Sequence, residues 1–66
     1  MRMVQVTSSA IIAIGYDEQT SRMKIQFRQG HNYDFCRVPV NVHAAFMRAY
    51  SKGVYYNEHI KGKYEC

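Results

Sequence analysis

The sequence predicts an α+β fold: a three-stranded antiparallel β-meander followed by one longer and one short helix packed on one face. Apolar and polar residues alternate from Arg22 to Arg28, which is typical of a half-buried strand. After Pro39 the apolar spacing changes to that of an amphipathic helix. Because 66 residues suffice for one small domain, we expect a single domain over residues 1–66.

The first strand region runs from Val4 to Tyr16. Its centre, residues 10–14, is continuously apolar, which favours a strand buried on both faces. Gly15 permits a close approach of another chain segment, or a bulge. The polar residues 17–21 then predict a turn.

The second strand, Arg22–Arg28, is the clearest one, since its apolar residues alternate strictly with polar and charged residues. Gln29–His31 predicts a turn. A third strand is expected from Tyr33 to Val38, and Pro39 follows it.

Two helices are expected after the sheet. The first begins near Pro39 and Asn41 and stops at Gly53, which we expect to adopt a left-handed conformation. The second helix is short and spans residues 54–60. We expect five helical side chains to face the sheet, Val42, Phe46, Ala49, Tyr56 and Ile60, opposite the strand residues Ile12, Ile14, Met23, Ile25 and Phe27.

The turn between the second and third strands decides which face of the sheet carries Tyr33 and Phe35. A two-residue turn places both rings on the basic face of the second strand, where they would form an exposed platform for nucleic-acid bases. A three-residue loop, Gln29–His31, pairs Phe27 with Tyr33 and Ile25 with Phe35, and places both rings in the core. The sequence is compatible with both arrangements.

The composition excludes several classes of protein. No run approaches the ~20 apolar residues of a transmembrane helix, so no membrane association is expected. The chain is too apolar and aromatic for a disordered protein. A core this small leaves little room for a deep catalytic cavity. The N-terminus lacks a signal-peptide core, which predicts a cytoplasmic location.

The reactive side chains show no spacing typical of a metal centre or of a nucleophilic site. We therefore expect no cofactor, no metal and no enzymatic activity. Cys36 and Cys66 are too few for a disulfide framework. We expect both to be free thiols in a reducing cytoplasm, with Cys66 frayed at the end of the chain.

A series of short motifs covers nearly the whole chain: Ser8-Ser9-Ala10-Ile11, Ala13-Ile14-Gly15-Tyr16-Asp17, Ile25-Gln26-Phe27, Tyr33-Asp34-Phe35, Val38-Pro39, Ala49-Tyr50-Ser51-Lys52-Gly53 and Tyr55-Tyr56-Asn57. In this order and at these spacings they resemble the KTSC domain family. That family is named for its occurrence at the C-terminus of some lysyl-tRNA synthetases, and it also occurs in stand-alone bacterial and phage proteins. The resemblance implies a small domain with no established activity, for which RNA binding is suggested. The family's Tyr-x-Tyr motif falls on Tyr33 and Phe35, so the second hydroxyl is missing here.

The charge distribution and the resemblance together favour a non-catalytic module that binds RNA of a tRNA-like kind. Nine Lys and Arg oppose five Asp and Glu, and five of those cations follow Cys36, with only two acids. A basic surface with interleaved aromatic rings suits a phosphate backbone and unpaired bases. The candidate nucleic-acid-binding residues are Arg22, Lys24, Arg28, Tyr33, Phe35, Arg37, Arg48, Lys52, Tyr55, Lys61 and Lys63.

The alternative function is protein interaction. An open sheet edge and a tyrosine-rich surface favour a module that contacts a host or bacterial protein complex, for example a phage-encoded modulator of a host complex. Under either hypothesis we expect a monomer or a weak homodimer.

Overall fold

The computed structural model describes residues 1–66 and shows an antiparallel four-stranded sheet followed by helices. The strands lie in the order in which they occur along the chain. Their bounds are β1 Met3–Gln5, β2 Ile11–Asp17, β3 Arg22–Phe27 and β4 Asn32–Phe35. The helices are α1 Val40–Arg48, α2 Lys52–Tyr55 and a π-helical turn, Tyr56–Ile60. The predicted α+β class is confirmed.

The prediction of three strands is wrong by one, because the first strand region contains a hairpin. β1 pairs antiparallel with β2, with Val4 opposite Ile14. The chain reverses at residues 6–10, where the Ser8 hydroxyl accepts hydrogen bonds from the backbone N–H groups of Ala10 (3.1 Å) and Ile11 (3.2 Å). A serine that bonds the following backbone in this way favours a turn over a continuous strand.

A bulge near the start of β2 decides which of its isoleucines enters the core. The register with β3 shifts between Ile11 and Ala13. As a result Ile11 is fully buried, whereas Ile12, which the sequence predicted as a core residue, is only half-buried. Gly15 allows the predicted close approach, since a Cβ atom there would lie 2.6 Å from the Met3 sulfur.

The β3–β4 hairpin places its aromatic residues on the core face. Ile25 lies opposite Tyr33, and Met23 lies opposite Phe35. The connecting loop has three residues, as in the predicted core arrangement, but these are residues 28–30 and not 29–31. The hydrogen bond from Phe27 N–H to His31 O (2.9 Å) closes the loop. The observed partner of each β3 residue therefore lies two positions away from its predicted partner in β4. Because side chains alternate between the two faces of a sheet, a shift by two leaves every side chain on the predicted face.

The core lies between one face of the sheet and the helices. α1 contributes Phe46 and the π-helical turn contributes Ile60, both fully buried. Val42 and Tyr56 pack at the margin of this cluster, as does Phe27, whereas Ala49 lies outside it. The core consists of Ile11, Ile14, Met23, Ile25, Phe35, Val38, Phe46 and Ile60.

The first helix begins where it was predicted, but the boundary between the first and second helices lies at other residues than predicted. Pro39 is the N-cap of α1, in agreement with its predicted role. α1 ends at Arg48 because the next residue, Ala49, is extended. Gly53 lies inside α2, so its predicted role as a left-handed helix stop is wrong. The longest helix has nine residues, and no helix here could cross a bilayer.

The C-terminal segment, residues 61–66, is tied to β4 and is not frayed. The Cys36 N–H donates to Tyr64 O (2.7 Å), and Glu65 forms a bridge with Phe35. These contacts bring the Cα atoms of Cys36 and Cys66 to 4.8 Å, and the two residues form a disulfide. The prediction of two free thiols is therefore wrong. The disulfide removes one argument for a cytoplasmic location, namely the expected free thiols, and that location stays a prediction.

Candidate nucleic-acid interface

Two adjoining surface clefts lie between the β1–β2 loop, the β3–β4 loop and the helical corner between α1 and α2. Their volumes are about 430 and 460 Å³, and they share Ser9 and Arg28, so we treat them as one basic cleft. Its lining comprises Thr7, Ser8, Ser9, Ala10, Phe27, Arg28, Gln29, Tyr50, Ser51, Lys52, Gly53, Tyr56, Asn57 and Lys61. The basic cleft forms between loops at the surface and leaves the small core intact.

One wall of the basic cleft is held by hydrogen bonds between the two hairpin loops. Arg28 Nε donates to the Ser8 carbonyl (2.9 Å), and the Arg28 backbone N–H donates to Ala10 O (3.0 Å). Because Nε is the inner nitrogen of the guanidinium, the two terminal nitrogens stay available to a ligand.

The opposite wall is the corner between α1 and α2. The Ser51 hydroxyl caps α2 by accepting from Val54 N–H (3.3 Å), and Lys52 Nζ donates to Ala49 O (2.7 Å). Lys52 has two further N–H donors that can reach an anion. The corner is thus fixed by its own polar side chains.

The floor of the basic cleft includes Tyr56 in the π-helical turn. Its ring packs edge-on against Phe27 at 5.1 Å and Phe35 at 6.0 Å between centroids. Burial raises the pKa of the Tyr56 hydroxyl, and the negative charges of ionised Tyr33 and Glu65 act in the same direction. The hydroxyl therefore stays a neutral hydrogen-bond donor at physiological pH.

The electrostatics of the basic cleft are one-sided. Arg28, Lys52 and Lys61 line it, and no Asp, Glu or His does. The salt bridge between Lys24 and Asp34 (3.9 Å) and the contact between His59 and Glu58 (3.9 Å) lie elsewhere. With no carboxylate to neutralise them, the three cations favour a bound anion.

The structure brings three of the eleven predicted candidates, Arg28, Lys52 and Lys61, into one site and disperses the rest. Arg22 and Lys24 point to the sheet face opposite the helices. Arg37 donates to the Glu65 carbonyl (3.1 Å) beside the C-terminal segment. Arg48 ends α1 at the surface, and Lys63 lies in the turn after Ile60; neither lines the basic cleft.

The aromatic candidates do not form the platform that the two-residue turn would have produced. Phe35 is 4% exposed, because the observed register turns it into the core, so it cannot contact a nucleic acid. Tyr33 is half-exposed at the margin of the core face, with its ring edge-on to Phe27 at 5.6 Å. Tyr55 stacks on Phe46 at 5.5 Å and is half-buried.

Ser9, Tyr50 and Asn57 line the basic cleft but are not among the predicted candidate residues. The motif of residues 49–57 marks the helical corner, but adjacent positions in a motif do not show which side chain is exposed. The sequence around Ser9 predicts the start of a strand. Ser9 lies beside a corner some forty residues later in the chain because β1 pairs with β2.

A second groove, of about 370 Å³, lies between the first two strands and α1. His43 stacks on Tyr16 there at 4.3 Å, and the Tyr16 hydroxyl donates to Val38 O (2.6 Å). Burial lowers the pKa of His43, while Glu18 partly opposes that shift. The groove is lined by Arg2, Val4, Ile14, Tyr16, Glu18, Val40, His43 and Met47.

Comparison with known proteins identifies the family. The model of the KTSC domain matches residues 7–64, and the chain belongs to the KTSC domain family. The crystal structure of a KTSC domain protein from Yersinia pestis matches with a TM-score of 0.93 at 41% identity, covering 96% of this chain and 89% of that one. The predicted resemblance is confirmed.

Curated relatives include both long and short proteins. A lysine–tRNA ligase of Nostoc punctiforme is 32% identical over 63 residues, which are 96% of this chain and 11% of the ligase. An uncharacterized protein of Stutzerimonas stutzeri is 31% identical over 61 residues, 92% of this chain and 86% of that protein. This chain therefore corresponds to a small part of the ligase and to most of the short relative.

Proposed function

We propose that this KTSC domain is a non-catalytic module that binds RNA through the basic cleft. The observation that carries the proposal is the convergence of Arg28, Lys52 and Lys61 on one cleft with no carboxylate. Cations that are free of ion pairs attract the phosphate backbone and release its counterions on binding.

The lining of the basic cleft supports a binding role over a catalytic one. It offers hydroxyl and amide groups, and it contains none of the Asp, Glu, His or Cys side chains that commonly transfer protons or attack substrates. No group of three or more His, Cys, Asp or Glu residues is placed so that it could hold a metal ion.

The relatives support RNA as the ligand. The same domain forms part of a lysine–tRNA ligase, whose name states that tRNA is a substrate of the whole enzyme. A domain carried by such an enzyme would raise its local concentration at tRNA if the domain itself binds RNA. We extend that role to this chain as part of the proposal.

The proposal is tested by titrating the protein with tRNA at about 50 and 200 mM salt. We expect Arg28→Gln and Lys61→Gln each to weaken binding at low salt. Lys24→Gln and Lys63→Gln remove the same charge outside the basic cleft and should have smaller effects. Failure to bind any RNA at low salt, or equal losses in all four variants, would contradict the proposal.

Protein interaction is the second candidate, and the open β1 edge favours it. The C-terminal segment covers part of the β4 edge through its bridge to Phe35, whereas β1 has a partner on one side only. Met3 and Val4 on that edge are 36% and 45% exposed. A partner protein captured by the wild type after nuclease treatment, and lost with Val4→Lys, would support this candidate.

A further inference from the structure

Tyr50 differs from every other tyrosine of the chain in having no packing partner. Its side chain is fully exposed, and its ring takes part in none of the aromatic pairs. The other five pack against the core or a neighbouring ring: Tyr16, Tyr33, Tyr55, Tyr56 and Tyr64. The structure therefore shows no contact through which the Tyr50 ring would stabilise this small domain.

The backbone around Tyr50 is nevertheless held in place. Ala49 N–H donates to Phe46 O (3.2 Å), and the Ala49 carbonyl accepts from Lys52 Nζ (2.7 Å). Ser51 on the other side caps α2. The ring is therefore presented to solvent from a fixed corner, so binding need not order a flexible loop first.

The same corner lines the basic cleft. Tyr50 and Lys52 line the same part of the basic cleft as Arg28. A flat aromatic surface beside unpaired cations matches the two parts of a nucleotide, since a base stacks on a ring and a phosphate binds a cation. Building on the proposed function, we infer that the basic cleft takes an unpaired nucleotide of single-stranded RNA, with its base stacked on Tyr50.

This arrangement distinguishes single-stranded from duplex RNA. In a duplex the bases stack on one another, and no internal base face is available to an external ring. A cleft that recognised phosphates alone would favour the duplex or be indifferent, because the duplex has the higher charge density. Tighter binding of the single strand than of the duplex would therefore indicate the stacking contact, since the cations alone do not favour a single strand.

The experiment compares a single strand of about sixteen nucleotides without self-complementarity with the duplex it forms with its complement. We expect the wild type to bind the single strand more tightly. Tyr50→Ala should weaken that binding about 5- to 150-fold, as expected for loss of one stacked base. Tyr50→Phe keeps the ring and should bind like the wild type, and so should Val54→Ala, which removes an exposed apolar side chain of α2.

Because Tyr50 is fully exposed, none of its variants should alter thermal unfolding, which is measured alongside. Tighter or equal binding of the duplex, or unchanged single-strand binding by Tyr50→Ala, would overturn this inference. If Arg28→Gln still weakens binding in that case, the proposed RNA-binding function stands without it. If the wild type binds neither RNA at low salt, the proposed function itself fails.

Discussion

Phe46 is the residue on which the packing of α1 depends most. It is the only fully buried side chain of that helix, and its ring stacks on Tyr55 at 5.5 Å. We expect Phe46→Ala to lower the free energy of unfolding by about 3–5 kcal/mol, because it leaves a cavity in the core. Urea denaturation of the two proteins measures the difference.

Tyr50→Ala is the matched control for Phe46→Ala, since it truncates an exposed aromatic side chain two residues after the end of α1. We expect it to change the free energy of unfolding by less than about 0.5 kcal/mol. A loss below about 1 kcal/mol for Phe46→Ala would contradict the packing of α1 on the sheet.

His43 makes stability depend on pH. Burial against Tyr16 lowers its pKa below 6.5, and Glu18 opposes the shift in part. Below pH 6.5 the unfolded chain therefore takes up the proton more readily than the folded one, so stability falls as the pH falls. We expect the fall in stability from pH 7 to pH 5 to be smaller in His43→Phe, which keeps a planar ring on Tyr16.

Urea denaturation at a series of pH values tests this contribution. Above about pH 8 both states hold His43 neutral, so the two proteins should show parallel pH profiles there. Equal falls between pH 7 and pH 5 in both proteins would show that His43 is not responsible. Because Arg2 and Glu18 line the same groove, they are kept unchanged in both proteins.

Among the elements, the C-terminal segment depends on a covalent bond to Cys36, the residue that follows β4. The disulfide joins residues 30 positions apart, and the segment also contributes the Phe35–Glu65 bridge. A crosslink that closes a loop of this length stabilises a small domain by about 3–4 kcal/mol, mainly by restricting the unfolded chain. We expect a reductant to lower the free energy of unfolding by about that amount.

The control for the reductant is the double variant Cys36→Ser with Cys66→Ser. It should match the reduced wild type in urea denaturation, and reductant should not change it further. If the native wild type reacts with a thiol reagent as readily as the unfolded reduced chain, the crosslink is absent and the C-terminal segment is held by hydrogen bonds alone.

The elements also show where sequence patterns stop being informative. The alternation in β3 and the spacing of α1 are strong local signals, and β3 and the start of α1 lie close to where they were predicted, whereas α1 ends at Arg48 and not at Gly53. β1 and the inclusion of Gly53 in α2 were missed. β1 is three exposed residues, defined by its pairing with β2, and Gly53 becomes helical because Ser51 caps the segment before it.

At the scale of the whole molecule, the expected salt dependence of RNA binding follows from the positions of the cations more than from the net charge of +4. Three of them line the basic cleft, so three phosphate contacts with a single strand are expected. The logarithm of the binding constant should then fall with the logarithm of salt concentration with a slope of about −2.

The slope is measured by titrating the single-stranded RNA over a series of salt concentrations. Lys61→Gln removes one phosphate contact and should make the slope shallower by about 0.7, whereas Lys63→Gln should leave it unchanged. A slope near zero would show that binding does not use the basic cleft. Identical slopes for the two lysine variants would show that the charge acts without regard to position.

The sequence alone determined the α+β class, the strand β3, the start of α1 and the family resemblance. These properties depend on residues close together in the chain, through hydrophobic period and turn chemistry. Only the tertiary structure decided the hairpin register, the disulfide and the basic cleft. Each of them joins distant segments, such as Ser9, Arg28 and Lys52, whose contact depends on how the sheet pairs and how the helices pack on it.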